Sequence, residues 1–407
     1  MPNTHLWPEE TVEANGLTTV SVTIESPNQE RRRLWYRLPA EYCPLLASTF
    51  DPFVVATLLL AMRYHSPTII HGQVSPSLLQ NLEEFQAAWS AWEPAQYRPV
   101  EIRADMEQEQ PLADASDKAI ATFSGGVDSC FTVFRHHSGA CGRWQRNLQA
   151  GLMIHGMDIP LEEEQGFTKA AEKARALLAT LGMELIPIAT NFRQLPLKWE
   201  DAFGTGMVSC LMMLQGGYTT GLIASSFPYQ ALSFPYGSNP ITDSMLSSNA
   251  FKIVHDGAAF PRLEKMREII KWPEALQSLR VCWQGPYKDR NCGRCEKCIR
   301  TVLNFRILGV GLPGCFTEDV TDSQIRNIRV TSGPLTEMER VLIAAKTTGI
   351  SDSWVRALES CIRRNQILDA LEKPKIAAQK SITSLKQNLP APVKQQVRQL
   401  RSLLRTR

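Results

Sequence analysis

Ile120-Ala121-Thr122-Phe123-Ser124-Gly125-Gly126-Val127-Asp128-Ser129-Cys130-Phe131 reads as a short apolar strand, a turn of two glycines among short polar residues, and the start of a helix. That order makes an anion cradle, because free backbone N–H groups and the positive end of the helix face the same point. Gly125 and Gly126 can take the positive-φ conformations of a tight strand-to-helix turn and let the amides approach an oxygen with no side chain in the way. Ser124 and Ser129 add hydroxyl donors, and the Asp128 carboxylate is placed to hold Mg²⁺. No lysine follows in the GxxxxGK[ST] spacing. The polar groups therefore cluster as if around a leaving diphosphate.

Working outward, strands alternate with helices from Ala119 to about Ser226, which implies a parallel sheet covered on both faces, the doubly wound α/β class. Ala119 to Phe123, Gly151 to His155, Glu184 to Ile188 and Leu222 to Ser225 read as strands. Cys130 to His137 and Glu162 to Leu181 read as helices, the second stopped by Gly182. The second strand ends at His155-Gly156-Met157-Asp158, where open parallel sheets gather ligands. His155 and Asp158 are thus candidate nucleotide contacts, with a satisfied structural histidine and a helix cap as the plainer alternatives. Gly216 to Pro240, rich in Gly, Ser, Pro and Tyr, reads as a substrate-facing loop.

Further along, Cys282 precedes Cys292-Gly293-Arg294-Cys295-Glu296-Lys297-Cys298. Four thiolates so spaced can surround one tetrahedral Zn²⁺, and the charged residues between them make the stretch too polar for a core. An iron–sulfur cluster is the rival occupant. Between loop and cysteines lie Arg262, Lys265, Arg267 and Arg280, either anion-holding cations or a solvated helix face.

Ser-Gly-Gly-Val-Asp-Ser after a strand resembles the signature of the PP-loop ATP pyrophosphatase superfamily, which includes GMP synthetase, asparagine synthetase, tRNA thiolation enzymes and 7-cyano-7-deazaguanine synthase. The order Cys…Cys-Gly-x-Cys-x-x-Cys beyond it is similar to the zinc site of the last. Together the resemblance spans residues 119 to 305. It implies a PP-loop fold with a C-terminal zinc knuckle, and ATP, Mg²⁺ and Zn²⁺ as bound groups. It also implies catalysis at Ser124, Asp128 and Ser129, with nucleotide held by Ser124 to Ser129, His155 and Asp158. The implied reaction is adenylation of a small 7-deazaguanine-type carboxylate with release of pyrophosphate, after which ammonia or another amine displaces AMP to give an amide; with ammonia, a second activation by ATP then yields the nitrile. The family's Tyr-Pro-Asp-Cys-Arg segment is replaced by Phe234-Pro235-Tyr236-Gly237-Ser238-Asn239-Pro240-Ile241-Thr242-Asp243. Other acceptors therefore stay open: a protein joined to the deazaguanine in antiviral defence, or a tRNA. A non-catalytic nucleotide-binding scaffold is the third reading.

The flanks suggest an N-terminal α+β domain (1–104), an acidic linker (105–118), the ATP-binding domain (119–315) and a helical C-terminal region (316–407). In the first, Val20, Val22 and Ile24 lead through a turn to Leu34-Trp35-Tyr36-Arg37-Leu38 as a hairpin. Phe53 to Met62 and Leu78 to Trp92 follow as helices, and Val100 to Ile102 as a strand. The net charge over 407 residues is +3, yet nine Lys or Arg and no acid fall between Lys373 and Arg407. The rest of the chain is therefore mildly acidic. The tail, with an apolar stripe at Val393, Val397, Leu400 and Leu404, reads as a solvated helical end, a subunit-pairing helix, or a nucleic-acid contact. No apolar run reaches membrane-spanning length, and ten scattered Cys without a disulfide framework lead us to expect a cytoplasmic protein.

Overall fold

The computed structural model describes residues 2–111, 117–282 and 284–388. Its first 318 residues form one compact unit. Within it, β1 (Thr4–Pro8), β2 (Val12–Ala14), β3 (Leu17–Glu25) and β4 (Arg31–Pro39) lead to helix α1 (Asp51–Tyr64), then β5 (Thr68–Val74), α2 (Pro76–Trp92) and β6 (Ile102–Glu107). The alternation continues with β7 (Lys118–Thr122), α3 (Val127–His137), β8 (Asn147–His155), α4 (Glu164–Ala179) and β9 (Glu184–Thr190). After these come α5 (Trp199–Met212), β10 (Thr220–Ala224), β11 (Lys252–Asp256), α6 (Arg262–Ile269), α7 (Pro273–Ser278) and α8 (Glu296–Ile307).

All these strands join one mixed, mostly parallel sheet of order β11-β10-β7-β8-β9-β4-β3-β1-β5-β6, with β2 paired to β3. The parallel part reverses direction at β7. From there β8 and β9 are added on one side, β10 and β11 on the other. A right-handed crossover sets helices of strands added in one direction on one face and changes face when the direction reverses. In keeping with this, α3 packs with α6 and α4 with α7, whereas α5 packs with α1. The β7/β10 boundary is thus the switch point, and the loop from Ser124 leaves the end of β7 there.

The N-terminal strands do not fold apart from the parallel strands. Tyr36 and Arg37 of β4 pair antiparallel with Thr190 and Ala189 of β9, and the Asn191 side chain bridges Trp35 N and Arg33 O. Helix α1 is buried from Asp51 to Met62, and its apolar side chains share one core with α5 and the central strands. A helix apolar all round needs cover on every side, so it ties the two regions together. The segment read as a linker contributes β6, parallel to β5; its residues 112–116 lie outside the described residues.

The second unit, from Asp319 on, is helical: α9 (Asp322–Asn327), α10 (Ser332–Thr347) and α11 (Ser353–Asn388). Thr321 and Gln324 form a reciprocal capping box at the start of α9. The basic tail stripe, Val393 to Leu404, lies outside the described residues. No described helix is long and apolar enough to cross a membrane.

Candidate active site and metal centre

The loop after β7 has the expected positive φ at Gly125 alone; Gly126, at φ −83°, is extended. Gly125 sits at φ +73°, which a side chain resists, and Gly126 precedes the first turn of α3 with no side chain capping that helix end. The amides there are left facing outward. Ser124 Oγ lies 3.4 Å from Gly126 N and 3.5 Å from Ser129 Oγ, and Ser129 Oγ donates to Gly126 O at 3.1 Å. Arg280 clamps the turn from behind: its N–H donates to Gly125 O at 2.8 Å, and its Nε to Ser124 O at 3.2 Å.

In front of the loop opens a cleft of about 550 Å³. Ser124, Asp128 and Ser129 line it together with Asp158, Arg193, Arg262, Arg280 and Lys297. Its other half is apolar and aromatic, made by Met157, Trp199, Phe203, Met207 and Tyr236. Tyr236 stands between Phe203 and Phe227, with ring centroids 5.0 and 5.1 Å away. Arg193 is held over Trp199 at 4.7 Å and donates to Met157 O at 2.7 Å.

Cations outnumber acids along this cleft by four to three, Arg193, Arg262, Arg280 and Lys297 against Asp128, Asp158 and Glu200. Burial opposes ionisation of Asp128, but Lys265, Arg262 and Lys297 outweigh it and hold its carboxyl below the ordinary aspartate range. Lys265 Nζ lies 2.8 Å from Asp128 Oδ1, and Arg262 Nη1 lies 3.5 Å from Oδ2. Burial in turn pulls Arg280 and Lys297 below their usual values, partly offset by Asp158. Buried cations crowded on a single open cleft make an anion welcome there. They make the cleft a poor seat for a resident Mg²⁺, since both oxygens of Asp128 already face cations.

Of the two candidates at the end of β8, Asp158 lines the cleft, and His155 does not. His155 Nε2 meets Pro160 O at 2.9 Å, and its ring stacks on Phe167 at 4.3 Å. Burial lowers its basicity. It is the satisfied structural histidine of the plainer alternative.

The four cysteines converge. Their sulfurs all lie within 4.8 Å of one another, with 3.7 Å between Cys295 and Cys282 and 3.9 Å between Cys292 and Cys298. A tetrahedron with Zn–S bonds of about 2.3 Å has an edge of about 3.8 Å, so the sulfurs fit a single ion such as zinc. A multi-iron cluster, in which each cysteine takes a different iron, needs them farther apart. Gly293 turns the chain at φ +69°. The amides of Gly285, Arg294 and Cys295 point at the sulfurs of Cys282 and Cys292 from 3.2 to 3.4 Å, which favours thiolates. Because Cys282 and Lys297 also line the cleft, a metal here stiffens one of its walls.

Sequence reasoning missed Arg193, Trp199, Glu200 and Phe203. They lie on or just before α5, whose Gly204 and Gly206 hide its helical pattern. Those glycines have a reason: a Cβ on Gly204 would stand 1.8 Å from Gly237 O, so only glycine lets the 234–239 loop cross the helix.

Compared with protein-family models, with curated proteins and with solved structures, the chain matches none.

Proposed function

We propose that this protein is an ATP-dependent, AMP-forming ligase that adenylates a carboxylate on a flat, aromatic-sized substrate of the 7-deazaguanine type and passes the acyl group to an amine. The observation that carries this reading is a phosphate-cradle loop at the switch point opening into the same cleft as Arg193, Arg262, Arg280 and Lys297, beside an aromatic half. The volume suits a nucleotide with a small second substrate.

In this reading the amides of residues 126–129, with Ser124 and Ser129, hold the departing pyrophosphate, and Arg262 and Lys265 turn from Asp128 towards its charge. Arg193 and Lys297 orient the substrate carboxylate against the α-phosphorus. A P–O bond to the carboxylate forms as the bond to pyrophosphate breaks; the amine then forms a C–N bond and AMP leaves. Fixed donors aimed at developing charge are the main source of acceleration in such a site. Mg²⁺, entering with the nucleotide phosphates, would supply charge neutralisation. The zinc ion keeps the Cys282 wall in place.

The test is pyrophosphate release from ATP with a 7-carboxy-7-deazaguanine and ammonium, each omitted in turn. Release that needs the carboxylate is expected. ATP binding with no release from any carboxylate would overturn the ligase in favour of a scaffold. A second reading, a protein as acceptor, is favoured by Tyr229, Phe234 and Ile241, which stand 59, 38 and 44 % exposed on the segment that carries Tyr236. It predicts carboxylate-dependent pyrophosphate release without a nitrile product.

A further inference from the structure

Behind Tyr236 lies a second, much smaller cavity, of about 10 Å³, which adjoins Ser225, Ser238, Asn239 and His255. It has room for about one water-sized molecule. His255 closes one side, its side chain 5 % exposed. Its Nδ1 lies 2.8 Å from Asp243 Oδ2. Asp243, wholly buried, also accepts from Ser238 Oγ at 2.7 Å and from Asn239 N at 3.1 Å. Asp243 already accepts from Ser238 and Asn239 and can accept from Nδ1 as well, an arrangement that leaves Nε2 to face the cavity. That Nε2 is buried with no hydrogen-bond partner, a costly arrangement unless something occupies the space before it.

A ligand for this cavity must donate a hydrogen bond to Nε2 and be about the size of water, and the buried Asp243 carboxyl behind His255 favours one that is cationic. We propose that this cavity binds ammonium, and that His255, oriented by Asp243, takes one proton from it to release ammonia towards the cleft across Tyr236, the residue both cavities share. The role in turnover rests on the ligase reading; the binding does not. In the coupled step Nε2 gains one proton and ammonia supplies the electron pair. Ammonia's pair becomes the C–N bond, AMP leaves with the electron pair of the broken C–O bond, and the second proton passes to solvent. His255 is a positioning and proton-accepting residue for the nucleophile.

The experiment uses the full chain with ¹⁵N-labelled histidine and follows the His255 Nε2 resonance, identified by its loss in His255→Gln. Ammonium chloride should move it saturably and matched potassium chloride should not. Asp243→Asn should weaken the response at least about tenfold. In turnover, His255→Gln should raise the KM for ammonium at least about tenfold more than the KM for ATP. A resonance indifferent to ammonium, as a permanently bound water gives, overturns the inference even where pyrophosphate release is intact. A saturable ammonium shift with no pyrophosphate release in the wild type strikes the ligase reading and leaves the binding site standing.

Discussion

The N-terminal part of the sheet and its parallel part both bury charge, but they arrange it in opposite ways. Asp51 accepts from Ser75 N and Oγ at 2.8 and 2.7 Å, and Asp201, under the N-terminal segment, accepts from Tyr97, Gln96 and Lys198. These are closed networks between elements, and they fix packing. In the parallel part, Asp128 is outnumbered by Lys265, Arg262, Arg280 and Lys297 around an open cleft. Networks that close on themselves hold structure, and one that leaves charge facing a cavity is built for a ligand.

The comparison can be broken most forcefully at the metal. Structural zinc contributes roughly 10 kcal/mol or more to local folding. If the four cysteines hold zinc as proposed, a chelator, or Cys298→Ser, should release it and open the segment from Cys292 to Cys298 to hydrogen exchange, while amides of α1 stay protected. Protection lost equally in both places would erase the distinction. Next comes a paired substitution. Lys265→Met should lower pyrophosphate release by about 10² or more. Leu59→Ala, in the buried stretch of α1, should cost about 2–5 kcal/mol of stability and leave the rate per folded molecule near wild type. Thermal melts and steady-state kinetics on both variants separate the two roles.

Smaller effects sharpen the picture. Gly204→Ala forces the Gly237 carbonyl away and should destabilise by about 1–3 kcal/mol, with a weaker KM for the acceptor as Tyr236 shifts. The smallest effect is in pH. Burial raises the Asp51 carboxyl despite Ser75, whereas for Asp256 the contributions of His136, Arg135 and Thr132 overcome burial and lower it. Asp256 therefore contributes stability above the unfolded value near pH 4, lost as pH falls through its lower folded value. Asp51 contributes the reverse, gaining stability as pH falls through its raised value. Melting temperature between pH 6 and 3 should fall less steeply in Asp256→Asn than in wild type and more steeply in Asp51→Asn.

The parallel strands and the loop at Ser124 were legible because their signals are local: apolar runs of strand length, a glycine pair and a stop at Gly182. So was the convergence of Cys282, Cys292, Cys295 and Cys298 into a cluster able to hold a metal ion. The sequence did not reveal that the N-terminal strands share the sheet, because the β4–β9 pairing joins residues far apart and depends on α1 needing cover on every side. Strands β5 and β11 were hidden because polar residues cut their apolar runs to Ile69-Ile70 and Ile253-Val254. His155 and Asp158 lie three residues apart with equal claims, and only the turn at Pro160 decides that one faces inward to stacking and the other to the cleft. The Asp243–His255 contact joins a loop to a strand end, and no periodicity marks it.

The β4–β9 seam has one more consequence. Without it, β9 would present a row of unpaired amides and carbonyls, a template for another chain to add a strand. Antiparallel pairing there moves the sheet's free margins outward to β11 and β6. Strand β6 carries Arg103, Asp105 and Glu107, and the β5–β6 register slips between Ile70 and Gln73. A charged, irregular margin accepts a further strand poorly. The N-terminal segment therefore guards the nucleotide-sized cleft indirectly, by keeping the sheet beneath it from self-association during folding.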